Sequence, residues 1–176
     1  MTPLNIVSVR ALETVPQAML DAPNTFVATS LHDVTRALDV QAARPRAAAI
    51  AIDLVGHSTR DHHLLRLGAS TIDALDPGVL RFFEAIARSG ILQHIHAVCL
   101  RLLGCETALS ASGQRTMRLL AGALGMPVYG SCKRLSITHH TALGFNPAFQ
   151  HVLVEAAQRR APWRTLGTHD GPCCAA

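Results

Sequence analysis

The chain has few aromatic residues and no extended block of one charge. Of its 176 residues, five are Phe, one is Trp and one is Tyr, and the net charge of +4 is spread along the sequence. Basic residues gather only in short pairs, Lys133-Arg134 and Arg159-Arg160. A nucleic-acid-binding protein needs a denser basic face and benefits from aromatic rings on which bases stack. The composition therefore predicts no nucleic-acid partner.

Long apolar runs are also missing. No apolar stretch reaches the roughly 18 residues of a membrane span, and residues 1–5 lack the basic and apolar regions of a signal peptide. We therefore expect no membrane partner and a cytoplasmic location. Because 49% of the residues are hydrophobic and only 16% are charged, global disorder is excluded. The length predicts one domain over residues 1–160, followed by a flexible tail over residues 161–176.

The cysteines do not form the pattern of a disulfide framework. Their number is odd, and their spacing is wide except for one adjacent pair in the predicted tail. Cys99 falls inside an apolar run, which is typical of a small core residue. The five positions are Cys99, Cys105, Cys132, Cys173 and Cys174.

Apolar periodicity predicts strands that alternate with helices along the chain. Such alternation implies right-handed crossovers and an α/β fold, a three-layer sandwich around a mainly parallel sheet. The predicted strands cover residues 5–10, 25–30, 47–55, 95–103 and 126–130, with a small hairpin near 64–68. The predicted helices cover residues 12–21, 31–42, 77–89, 112–124 and 146–160.

Two of the predicted strands end in residues that can carry chemistry. The run at 47–55 is followed by Gly56-His57, and the run at 95–103 is followed by Gly104-Cys105. Both runs are rich in aliphatic residues, as buried parallel strands are. A parallel sheet places the ends of its strands at one edge, where open α/β folds bind ligands. A histidine and a cysteine delivered there are a candidate base and nucleophile.

This pattern resembles the caspase-like cysteine peptidases, which include caspases, metacaspases, legumains, gingipains, self-cleaving toxin domains and bacterial CHAT domains. His57 and Cys105 are 48 residues apart, close to the roughly 50 that separate these two residues in caspases. The stretches Gly104–Ala108 and Pro127–Ser131, with Leu124-Gly125 between them, are most similar to bacterial CHAT-like sequences. The resemblance covers residues 47–131 and implies a caspase-like fold.

The resemblance also implies roles for the residues at these strand ends. Cys105 would be the nucleophile and His57 would transfer protons, with no metal and no cofactor. The oxyanion would be held by two backbone N–H groups, that of Cys105 and that of the residue after the histidine. The family usually has glycine at this second position, where this chain has Ser58. The implied partner is a peptide or protein substrate.

The same resemblance indicates which residues would shape the substrate pocket. Caspases carry Gln two residues before the nucleophile, and several Arg- or Lys-specific relatives carry Asp there, whereas this chain has Leu103. An apolar wall predicts a preference for neutral or small apolar residues, because a buried charge needs a partner. Glu106 and Asp53 are further candidates for the pocket. Glu106 could instead face solvent, and Asp53 could instead pair with Arg101 on the neighbouring strand.

Three alternatives remain open from the sequence. The first is a caspase-like interaction domain without catalytic activity, which Ser58 in place of glycine would fit. The second is a serine nucleophile, because residues 56–60 partly match the G-x-S-x-G elbow, although Arg60 replaces its last glycine. The third is a zinc-dependent hydrolase. Residues 57–62 partly match an H-x-H-x-D-H motif with His57, Asp61 and His62, although Thr59 replaces the second histidine.

Overall fold

The computed structural model describes residues 2–45, 49–156 and 164–165, which form an α/β fold. Short 3-10 segments cover Val9–Thr14, Ile137–His139 and Pro147–Val152. The α-helices are α1 (Gln17–Leu20), α2 (His32–Ala42), α3 (Pro77–Arg88), α4 (Ile91–His94) and α5 (Ala111–Leu124). The strands are β1 (Thr2–Ser8), β2 (Thr25–Ala28), β3 (Ile50–Val55), β4 (Arg66–Leu67), β5 (Ser70–Thr71), β6 (Ala97–Leu103), β7 (Val128–Ser131), β8 (His140–Thr141), β9 (Gly144–Phe145), β10 (Leu153–Ala156) and β11 (Arg164–Thr165).

Seven of these strands form the central sheet, in the order β11-β10-β7-β6-β3-β1-β2. The five strands from β2 to β7 are parallel, whereas β10 and β11 are antiparallel to their neighbours. The predicted α/β fold with a mainly parallel sheet is therefore confirmed. From β1 the chain continues to β2 at one edge of the sheet, whereas from β3 it continues to β6 and β7 in the opposite direction. In open α/β sheets the crevice at such a reversal is where ligands bind.

The two faces of the sheet are covered differently, which gives the three layers. Helix α5 packs on the face of Gly130, where an added Cβ atom would lie 2.6 Å from Met117 Sδ, and α3 packs beside α5. The opposite face carries the β8–β9 hairpin, which contacts β1 and α1. Strand β3 is buried along its whole length. None of the helices in the described ranges is long and apolar enough to cross a membrane.

The face under the β8–β9 hairpin carries a row of polar side chains across six strands. Strand register aligns Thr25, Asn5, Asp53, Arg101, Tyr129 and Glu155. The row divides into three bonded pairs: the Asn5 amide donates to Thr25 Oγ1 at 3.1 Å, Arg101 donates to Asp53 at 2.5 and 2.7 Å, and Tyr129 donates to Glu155 at 3.1 Å. Neighbours in the row thus bond to one another, as most buried polar groups do, although Asn5 Oδ1 has no hydrogen-bond partner among the described residues.

The predicted helix over 146–160 is wrong. The chain instead forms the 3-10 segment Pro147–Val152 and then the strand β10, which pairs with β7. Phe149, Val152, Leu153 and Ala156 fit a helical spacing, but Leu153, Val154 and Ala156 are all buried at the sheet. Tertiary packing therefore overrides the periodicity. Residues 157–160 lie outside the described residues.

Other boundaries move for local reasons. The first strand covers Thr2–Ser8 rather than 5–10, and the predicted helix 12–21 is divided between Val9–Thr14 and α1, with Pro16 as the cap of α1. Arg164–Thr165 pairs with β10, so these two residues of the predicted tail belong to the sheet. The rest of that tail, with Cys173 and Cys174, lies outside the described residues. The predicted hairpin is confirmed as β4–β5.

We predict that the fold loses stability in acid because of His140. Burial, followed by the charges of His139 and Arg101, lowers the pKa of His140 to about 4. Its Nδ1 atom is buried, and no described residue forms a hydrogen bond with it. The unfolded chain then binds the proton more readily than the folded chain between about pH 6.5 and 4, so this part of the stability is present above pH 6.5 and is lost toward pH 4. The expected loss in free energy of unfolding by pH 4.5 is about 2 kcal/mol.

Urea unfolding at pH 7.5 and 4.5 measures this loss. His140→Phe removes the titrating ring and should show a smaller decrease than the wild type, whereas His32→Phe, on the far helix α2, should decrease as the wild type does. An equal decrease in wild type and His140→Phe would refute the assignment.

Candidate functional site

The histidine and cysteine predicted from the sequence follow adjacent strands at the same level of the sheet. Val55 of β3 pairs with Leu103 of β6 in parallel register, and the Gly56 N–H donates to the Leu103 carbonyl at 3.2 Å. Each strand then continues into a glycine and the candidate residue, His57 or Cys105. Neighbouring strands are about 4.8 Å apart. The two segments therefore leave the sheet side by side, at the edge where parallel strands end.

Direct contact joins the loops that follow the two strands. A Cβ atom added at Gly104 would lie 2.6 Å from Ser58 Oγ and 2.8 Å from Leu65 Cδ1. The Ser58 hydroxyl is buried and has no hydrogen-bond partner among the described residues. The backbone φ of Ser58 is not positive, so this position does not require glycine. Gly104 instead provides the space that the serine side chain needs.

The backbone of His57 is held by the β4–β5 hairpin region, and its ring contacts a residue after β1. The Arg66 N–H donates to the His57 carbonyl at 2.7 Å, and a Cβ atom at Gly56 would lie 2.2 Å from the Arg66 carbonyl oxygen. The His57 side chain is 46% exposed, and its Nε2 lies 2.9 Å from Glu13 Oε1. The pKa of Glu13 is lowered below its usual value, first by a hydrogen bond from the backbone N–H of Glu13 itself and then by the His57 ring.

Cys105 lies in a tightly bonded turn against the loop that follows β7. The Cys105 thiol, which is partly exposed, donates to the Leu135 carbonyl at 3.7 Å. The next residue, Glu106, has a positive φ of 60°, and its N–H donates to the Lys133 carbonyl at 3.1 Å. This loop, residues 132–136, therefore lies along the turn that carries the thiol.

Two of the backbone N–H groups at this edge have no acceptor among the described residues. Within the described ranges, neither the N–H of Ser58 nor the N–H of Cys105 donates a hydrogen bond. These are the two groups predicted to hold an oxyanion. Glu106, which the sequence suggests for the substrate pocket, has two side-chain partners. Its carboxylate lies 3.4 Å from His63 Nδ1 and 3.8 Å from Arg134 Nε.

Asp53 and Leu103, the other predicted pocket residues, do not line an open pocket in this structure. Asp53 is fully buried and bonded to Arg101, which is the alternative pairing considered from the sequence. Leu103 is 1% exposed and belongs to the hydrophobic core. A side chain without exposed surface cannot contact a substrate. Asp53 lies within β3 and Leu103 is the last residue of β6, and both side chains point into a covered face of the sheet.

Some features of this edge have no clear signal in the sequence. Glu13 lies in the helix predicted over 12–21, and Leu135 belongs to a loop with no recognisable pattern. The Ser131 hydroxyl donates to the Gly104 carbonyl, and the Ser131 N–H donates to Thr107 Oγ1 at 2.9 Å. Only the rule that loops after parallel strands meet at one edge could have indicated these residues.

A metal site and an apolar groove are the other places where a ligand could bind. Within residues 2–45 and 49–156, no three His, Cys, Asp or Glu side chains are grouped so that they could hold a metal ion, and this includes His57, Asp61 and His62. A groove of about 630 Å³ lies between α2 and α3 and is lined mainly by apolar side chains, among them Leu38 and Phe82. None of the candidate site residues lines this groove.

Comparison of the chain with models of protein families, with curated proteins and with solved structures gives no significant match.

We predict that Gly104→Ala disturbs the contact between the two loops. The new methyl group would meet Ser58 Oγ and Leu65 Cδ1, so we expect a loss of about 1–3 kcal/mol in the free energy of unfolding. Adding Ser58→Gly to this variant removes the closest atom and should restore part of the loss. Urea unfolding measures both effects.

Gly122→Ala in helix α5 is the matched control. Outside the backbone of its own helix, no atom of the described residues lies within 4 Å of a Cβ added there. This substitution should therefore stabilise the chain by about 0.5–1 kcal/mol through its helix preference. If Gly104→Ala were as stable as the wild type, the close approach between the loops would not exist in solution.

Proposed function

We propose that this chain is a cysteine-dependent peptidase or amide hydrolase in which Cys105 and His57 form a catalytic dyad. The observation that supports the proposal most strongly is the parallel pairing of Val55 with Leu103. It brings Gly56-His57 level with Gly104-Cys105, at the edge of the sheet where open α/β folds bind their ligands. The resemblance to caspase-like peptidases, closest to bacterial CHAT-like domains, assigns the same two residues.

The proposed reaction begins with a proton transfer from the Cys105 thiol to His57. The thiolate attacks the carbonyl carbon of a peptide or protein substrate, so that a C–S bond forms and the carbonyl oxygen becomes an oxyanion. The N–H groups of Ser58 and Cys105 donate to this oxygen. As the C–N bond breaks, His57 gives its proton to the leaving amine, and a thioester remains on Cys105.

Water completes the cycle. His57 takes a proton from a water molecule, and the resulting hydroxide forms a C–O bond with the thioester carbon. The C–S bond breaks to release the carboxylic acid, and His57 returns its proton to the Cys105 sulfur. No cofactor is needed. We also propose a cytoplasmic setting, in which thiols stay reduced and the Cys105 nucleophile keeps its activity.

The proposal predicts that Cys105 reacts with a peptide electrophile and that the reaction depends on His57. The probes are peptidyl chloromethyl ketones with Leu, Asp or Arg before the reactive group, applied to a chain with Cys173→Ser and Cys174→Ser. We expect a single adduct, mapped to Cys105 by mass spectrometry. His57→Ala should slow its formation about 100-fold, the usual size of a general-base contribution.

Two controls make the result specific. Cys99 is buried, and burial raises its pKa to about 11, so Cys99→Ala should leave labelling unchanged and cost only stability. Cys105→Ala should abolish the adduct. If iodoacetamide alone reacted with Cys105, equally fast in wild type and His57→Ala, the chain would instead be a catalytically silent interaction domain. The labelling rates of the three probes test the preference for neutral residues. Faster labelling by the Asp or Arg probe would contradict the preference predicted from Leu103.

A further inference from the structure

The residue that faces the His57 ring comes from the loop after β1, the neighbour of β3 on the side away from Cys105. Glu13 Oε1 lies 2.9 Å from His57 Nε2. An ionised carboxylate only accepts hydrogen bonds, so Nε2 must carry the proton that is donated. Neutral imidazole has one protonated nitrogen. The contact therefore fixes the tautomer in which Nδ1 has a free lone pair.

Glu13 is held in place by its neighbours rather than by a regular helix. Ala11 is fully buried and has a non-helical φ of −132°, and Val15 is 3% exposed. Between them the Thr14 hydroxyl donates to the Ala11 carbonyl at 2.7 Å. The side chain of Glu13 thus extends from a segment that is anchored at both ends, and it reaches the crevice where the direction of the chain crossovers reverses.

We propose that Glu13 is a positioning residue, which holds the His57 ring with Nε2–H bonded to its carboxylate and Nδ1 free to accept the Cys105 proton. This inference rests on the proposed function. A carboxylate that orients a catalytic histidine keeps the required tautomer and stabilises the imidazolium that forms when the thiol loses its proton.

Stability alone gives little reason for this contact. The side chains of Glu13 and His57 are 69% and 46% exposed, and exposed ion pairs of this kind contribute little to folding. Removal of Glu13 should therefore leave the fold intact, so that a change in reactivity reports on the histidine rather than on unfolding.

The experiment compares Glu13→Ala, Glu13→Gln and Glu84→Ala in the chain with Cys173→Ser and Cys174→Ser. The first readout is the rate at which the best peptidyl chloromethyl ketone labels Cys105. The second is the tautomer of His57, measured from the ¹⁵N chemical shifts of its ring at pH 7.5. Glu84 forms an exposed pair with Arg88 on α3, so Glu84→Ala removes the same charge far from the crevice.

We expect Glu13→Ala to lose the preference for the Nε2–H tautomer and to slow labelling about 10- to 100-fold, a typical effect of removing a residue that orients a ligating or catalytic histidine. Glu13→Gln keeps an oxygen that accepts from Nε2–H, so it should keep the tautomer and recover part of the rate. Glu84→Ala should match the parent in both readouts.

The remaining outcomes overturn the inference, each in a distinguishable way. Unchanged labelling in Glu13→Ala would refute the positioning role and leave the dyad standing. An unchanged tautomer in Glu13→Ala would show that the carboxylate does not orient the ring. If no probe labelled Cys105 in the parent chain although the tautomer depended on Glu13, the proposed function itself would fail, and the contact would have no catalytic meaning.

Discussion

The buried ion pair between Asp53 and Arg101 is the interaction on which the arrangement of the sheet depends. Both side chains are almost completely buried, and the guanidinium binds the carboxylate through two nitrogens. A shift of one residue between β3 and β6 would separate them and leave two buried charges unpaired, and breaking such a pair costs about 3–5 kcal/mol. The register that this pair requires is also the register that brings His57 level with Cys105.

The neighbours of the pair explain how charges are tolerated at the centre of the sheet. The Phe145 N–H donates to the Asp53 carboxylate, and the Phe145 ring lies 5.7 Å from the Arg101 guanidinium carbon. The β8–β9 hairpin therefore satisfies the remaining acceptor and excludes water. On either side of the ion pair, Asn5 bonds to Thr25 and Tyr129 bonds to Glu155. Polar side chains therefore stabilise a face of the sheet that would otherwise need apolar packing.

The sequence predicted the part of the fold that depends on long apolar runs. The helices α2, α3 and α5 and the strands β3, β6 and β7 follow from clear periodicity, and Asp76 accepts a backbone hydrogen bond as the expected cap of α3. The cap of α5 is Ser110, two residues before the start that the sequence predicts. The order of strands in the sheet and the strand β10 did not follow, because pairing partners are remote in sequence. Four apolar residues at helical spacing are equally compatible with a 3-10 segment that continues into a strand.

For the candidate site, too, the sequence predicts the residues that follow local patterns but not the contacts between distant loops. Glycine followed by histidine or cysteine at the end of an apolar strand is a local pattern, and the structure places both residues at one edge. The fate of Leu103 and Asp53 depends on which face of the strand is covered, and the contact of His57 with Glu13 depends on a loop about 40 residues earlier. Such contacts between loops carry no periodicity that a sequence pattern could reveal.

The segment from Cys132 to Val152 contacts both the turn that carries Cys105 and the buried ion pair of the sheet. At one end the Leu135 carbonyl holds the Cys105 thiol, and at the other the β8–β9 hairpin covers Arg101. Local opening of this segment would release the thiol and admit water to the buried charges in a single event. Backbone amides of the segment and amides around Asp53 would then exchange with solvent deuterium at linked rates. The sheet and the thiol would share one cooperative unit, although the thiol itself lies outside the sheet.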